Sequence, residues 1–133
     1  MRSRYAAVAL TAVAVLGSTG CLGLEKQNPF ITLTAHGVSV KARAQKYCRA
    51  NDCRVTTDTA TITVQPGDTL GIDVPRSVAE HGWRLGQQGE FSHDHYRSVE
   101  IGSQFQSGQA LPLEIHRNDA AGEGVWKFTV QVK

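Results

Sequence analysis

Apolar residues recur at every second position along most of the chain after Phe30, and this spacing excludes most architectures. Ile31, Leu33 and Ala35 alternate with Thr32 and Thr34, and Val38, Val40 and Ala42 alternate with Ser39 and Lys41. The same period runs through Ala60, Ile62 and Val64, through Leu70, Ile72 and Val74, and through Leu111, Leu113 and Ile115. At the C-terminal end Trp126, Phe128, Val130 and Val132 stand opposite Lys127, Thr129, Gln131 and Lys133. Side chains of an extended strand point alternately to its two faces, so each segment is predicted to bury one face and wet the other. Short strands rich in Thr, Val and Ile specify antiparallel sheets packed face to face rather than a helical or doubly wound fold. The expected fold is all-β: an immunoglobulin-like antiparallel β-sandwich of about seven or eight strands, with Trp83 and Trp126 as its heaviest core residues.

The turn residues agree with this reading. Gln65-Pro66-Gly67-Asp68 suits a type II turn, with proline where φ is near −65° and glycine where φ must be positive. Asn118 to Gly124 is a longer, glycine-bearing connection. Pro75 to Gly82 is the one helical candidate, because Ser77 and Glu80 have capping-box spacing and Gly82 can end the turn before Trp83 opens a strand.

Ahead of the strands, Arg2 and Arg4 precede an uncharged run from Tyr5 to Leu16 and then Gly17-Ser18-Thr19-Gly20-Cys21. A basic segment, a short apolar segment and small residues before a cut describe a secretory signal, and the run is too short to span a bilayer. Thr19-Gly20-Cys21 resembles the lipobox of bacterial lipoproteins, whereas Ser18 stands where a large aliphatic is usual. The resemblance implies cleavage before Cys21 and acylation of its thiol. Simple secretion is the alternative, since Ser18 and Gly20 also satisfy the ordinary small-residue rule. The expected organisation is a signal peptide over 1–20, a tether over 21–29 and a single β-sandwich domain over 30–133. The expected location is the extracytoplasmic face of the cell membrane, held by the lipid anchor.

Loss of the signal removes two of the 14 Lys+Arg and none of the 12 Asp+Glu, so the mature chain is formally neutral. That balance argues against a nucleic-acid partner. Three cysteines in an oxidising compartment leave one over, and acylation of Cys21 uses it, pairing Cys48 with Cys53. Their four intervening polar residues, Arg49-Ala50-Asn51-Asp52, suit a tight turn that brings the two side chains into bridging range. Free thiols or a zinc half-site are the alternatives, though the spacing is wide for a zinc knuckle and no second pair exists.

On several of these residues the chain resembles an uncharacterised family of predicted actinobacterial lipoproteins. The matching features are the Ile31 to Ala35 strand, Tyr47-Cys48 with Cys53, Thr61 to Val64 leading into Pro66-Gly67, and Val74-Pro75 with Val78-Ala79 and Trp83. The resemblance implies export and a β fold and carries no biochemical activity.

Ser92-His93-Asp94-His95-Tyr96 is the best candidate for chemistry. On an extended segment His93 and His95 point the same way, and Asp94 or Glu90 could supply oxygen to copper(II), zinc or nickel. A solvated loop is the plainer reading of such a run. Nucleophile elbows, phosphate-cradling glycine loops and His-Glu-x-x-His are absent from the sequence, so an enzyme is the less favoured reading and no cofactor is expected. The expected function is that of a membrane-anchored, non-catalytic binding or accessory module for an envelope protein or other ligand. Its candidate surfaces are the loop from Tyr47 to Cys53, with Tyr47 either a contact residue or a core aromatic, and the region from Gly82 to Tyr96.

Overall fold

Asn28 stands where the sequence places the end of a tether, yet it is buried. Its side-chain amide donates to Ala44 O at 2.9 Å and to Arg54 O at 3.1 Å. Pro29 O accepts from Trp126 Nε1 at 2.9 Å and from Ala44 N at 3.0 Å. The computed structural model describes residues 27–87 and 89–133.

Among the described residues there are ten strands: β1 (Phe30–Ala35), β2 (Val38–Arg43), β3 (Lys46–Arg49), β4 (Asp52–Val55), β5 (Ala60–Val64), β6 (Thr69–Asp73), β7 (Trp83–Leu85), β8 (Tyr96–Glu100), β9 (Ala110–Arg117) and β10 (Gly124–Val132). A one-turn helix, α1 (Arg76–Ala79), joins β6 to β7, and a 3-10 turn (Asp119–Ala121) precedes β10. One sheet has the order β2-β1-β6-β8 and the other β4-β3-β10-β9-β7. β3 and β5 share one edge of β10, at Gly124–Val125 and at Phe128–Val132, and β9 takes the other edge. Pairing is antiparallel apart from the parallel β5/β10 ladder. The order β7-β9-β10 facing β6-β8 is that of strands C, F and G facing B and E in an immunoglobulin-like sandwich.

The period-two pattern becomes the core. Ile31, Leu33, Ile62, Ile72, Phe128 and Val132 fill the space between the sheets around Trp83 and Trp126, both fully buried. Each indole N–H has an acceptor, Trp126 at Pro29 O and Trp83 at Asp94 O (2.7 Å), so the two largest side chains bury apolar area without leaving a donor unmet.

Local details depart from the sequence expectation in three places. Two or three more strands form than expected, because β4 and β8 are almost wholly exposed and β3 buries two adjacent residues, Tyr47 and Cys48, so that none of the three carries an alternation to betray it. Val38 is 57% exposed rather than buried: β2 is an edge strand, and Val38 directly follows the His36-Gly37 turn. Both turn residues have positive φ, +52° and +69°, as a two-residue hairpin of type I′ requires. Finally, α1 has no capping box. Pro75 is its N-cap with no side-chain bond, Ser77 lies inside the turn, and Glu80 instead pairs with Arg76 at 3.0 Å. The Pro66-Gly67 turn forms as expected, with Gly67 at φ +92° and Asp68 N bonded to Gln65 O at 3.1 Å.

Candidate functional site

The chain leaving β7 turns back at Ser92 and is stitched down along that strand. Trp83 and Ser92 exchange two backbone hydrogen bonds at 2.9 and 2.7 Å, Trp83 Nε1 donates to Asp94 O, and Val74 N donates to His95 O at 2.8 Å. Held at Ser92, Asp94 and His95, the run sends alternate side chains to opposite sides.

On one side His93 and His95 line an open groove of about 550 Å³ with Val74, Arg76, Ala79 and Glu80. The His93 ring lies close over Gly82, where a Cβ would come within 3.2 Å of its Cε1 and where φ is +90°. Only glycine meets both conditions without strain. On the other side Asp94 enters a groove of about 440 Å³ with Arg84, Glu90, Phe91 and Arg97. The expected metal set of His93, Asp94 and His95 is therefore divided. The alternation that puts the two histidines together sends the carboxylate between them, and the Glu90 carboxylate, into a different groove. Among the described residues no group of three or more His, Cys, Asp or Glu is arranged to hold a metal ion.

A third groove, of about 450 Å³, continues past Arg84 and Phe91 to His116, Arg117, Asp119 and Glu123. Arg84 and Phe91 thus form the wall common to the second and third grooves. The Arg84 guanidinium sits 4.7 Å from the centre of the Phe91 ring. Its Nε is shielded from solvent and makes no hydrogen bond within the protein. A buried donor left unmet costs about 1–3 kcal/mol. Carboxylates and guanidinium groups both line these two grooves, which suits a ligand carrying both donors and acceptors. Sequence reasoning did not single out Arg84; its one visible signal is a charged residue between Trp83 and Leu85 in a short apolar segment.

The second candidate surface is structural. Tyr47 is only 4% exposed, which places it in the core rather than at a contact surface. Its ring meets Trp126 edge-on at 5.9 Å, and its hydroxyl accepts from Arg117 Nη1 at 2.6 Å. Cys48 and Cys53 are directly opposed in the β3/β4 ladder and are joined as a disulfide next to the Ala50-Asn51 turn. Of the other histidines, His36 contacts Asp68 at 2.5 Å and His116 contacts Glu114 at 3.0 Å, pairings within the sandwich rather than a shared site. Cys21 and the signal segment lie outside the described residues. Among those residues, no helix is long and apolar enough to cross a membrane.

No curated protein and no solved structure matches the chain. A family model described as Protein of unknown function (DUF2771) matches residues 24–131, which spans nearly all of the sandwich. The chain belongs to that family.

Proposed function

We propose that this chain is an exported, membrane-anchored lipoprotein whose sandwich is a non-catalytic binding or accessory module. It recognises an envelope partner through the grooves that meet at Arg84 and Phe91. Export and anchoring rest on the basic, apolar and small-residue segments before Cys21 and on the resemblance to actinobacterial lipoproteins. The site rests on one observation above all: the Arg84 Nε is a buried donor without an acceptor, on a wall shared by two grooves and stacked on an aromatic ring. Arginine is enriched among the residues that anchor binding interfaces.

The test is complementation of a deletion strain that has a phenotype. Arg84→Gln should abolish function with the fold intact, while Glu90→Gln should be tolerated. Loss of function from Glu90→Gln alone, with stability and partner binding unaltered, would instead favour catalysis.

A further inference from the structure

Neutrality of the mature chain conceals a separation of charge along it. Residues 30–55 carry five basic side chains (Lys41, Arg43, Lys46, Arg49 and Arg54) against Asp52 alone, a balance of +4. Residues 56–133 carry six Lys+Arg against ten Asp+Glu, a balance of −4.

The fold gathers most of the basic set around the point where the chain enters. Gln27 and Asn28 line an open groove of about 440 Å³ with Arg43, Arg54, Val55 and Thr56. Lys41 and Arg43 both lie over the Phe30 ring, at 4.9 and 3.9 Å from its centre. Lys46 stands directly across the β3/β4 ladder from Val55. Val55 is 74% exposed, more than Val38 or Tyr96, the other large apolar side chains exposed among the described residues. Acidic neighbours offset part of this charge: Glu123 pairs with Lys46 at 2.7 Å, Asp52 lies 3.6 Å from Arg54, and Asp58 accepts from the Arg43 backbone N–H at 2.7 Å. Four cations (Lys41, Arg43, Lys46 and Arg54) against these three carboxylates leave the rim a balance of +1, with the exposed Val55 lining its groove.

We propose that this rim is a collar that seats on the anionic headgroups of the membrane and fixes the orientation of the sandwich. The proposal rests on the lipid-anchored reading of Cys21. Five residues separate Cys21 from Gln27, a reach of at most about 20 Å, so the collar is the part of the domain held nearest the bilayer. An anionic surface attracts it, and the second groove, lined by Arg84, Glu90, Phe91 and Arg97 on and between β7 and β8, strands distant from β2 and β4 in both sheets, is left open to a partner.

The experiment uses the processed, acylated protein in nanodiscs of phosphatidylcholine alone or mixed with phosphatidylglycerol. Carbene footprinting then compares the labelling of Val55 with that of Tyr96. The collar predicts that Val55 labelling falls several-fold on the anionic discs only, with Tyr96 unchanged, and recovers in about 0.5 M salt or in the exposed double variant Lys41→Gln, Arg54→Gln. Equal labelling of Val55 on both discs would overturn it. Should intact mass show no acyl group, the anchoring reading fails separately, and the collar is tested by sedimenting the processed chain with the same lipids as vesicles. Binding to anionic vesicles, weakened by about fivefold for each basic residue removed, sustains the collar, and no binding overturns it.

Discussion

Arg117 donates to the Tyr47 hydroxyl at 2.6 Å across seventy positions of sequence, with its guanidinium carbon 4.4 Å from the centre of the same ring. The guanidinium also donates to Cys48 O at 2.9 Å and to Gly122 O through both Nε (2.9 Å) and Nη2 (2.8 Å). One side chain thereby ties the disulfide hairpin to β9 and to the turn that precedes β10.

Arg117→Met should consequently be among the most damaging single changes. It removes the donor from one hydroxyl and two carbonyl oxygens in a buried setting and should cost about 3 kcal/mol. Gly122→Ala should act on the same node, since a Cβ there would lie 2.5 Å from Cys48 O and 2.6 Å from Arg117 Nη2 at a φ of +113°. Urea unfolding of both variants checks this; midpoints unchanged from the parent chain would show that the node contributes nothing.

Reduction of Cys48–Cys53 should be mild by comparison. The bridge closes a short hairpin, for which chain entropy gives about 2 kcal/mol. β4 is fully exposed, and β3 meets β10 only at Gly124–Val125, so the sandwich core should survive. Intact mass after alkylation should show both thiols blocked without reductant and both modified with it. Thermal unfolding should remain cooperative in the reduced state.

Which parts of this fold could be read from residues follows from exposure. β1, β5 and β10 each separate a dry face from a wet one, and their alternation announces them. Asp52–Val55 has no dry face at all, and Tyr96–Glu100 has almost none, so neither strand leaves a periodic trace. Tyr96 is nevertheless placed by contact, because it covers Gly71 on β6, where a Cβ would meet its hydroxyl at 2.7 Å. The same logic limits the site. A His-x-His spacing on extended backbone put His93 and His95 in one groove, whereas the unmet Arg84 Nε depends on packing between distant elements that no local spacing encodes.

Cys21→Ser should move the protein from the membrane fraction to the medium or leave it as uncleaved precursor. Fractionation with immunodetection checks this. Retention of a cleaved mutant at the membrane would contradict acylation as the anchor, because a neutral domain held by the collar alone should wash off in salt.

Recognition at the Arg84 wall is tested most directly by placing a photo-crosslinking amino acid at position 90, which is exposed and lines the groove beside Arg84. A second probe at position 38, exposed on the far edge strand of the opposite sheet, is the control. Illumination of intact cells should give a discrete adduct from position 90 that is absent from position 38 and is lost on Arg84→Gln with the melting temperature unchanged. Equal adducts from both positions, or an adduct indifferent to Arg84→Gln, would contradict recognition at this wall.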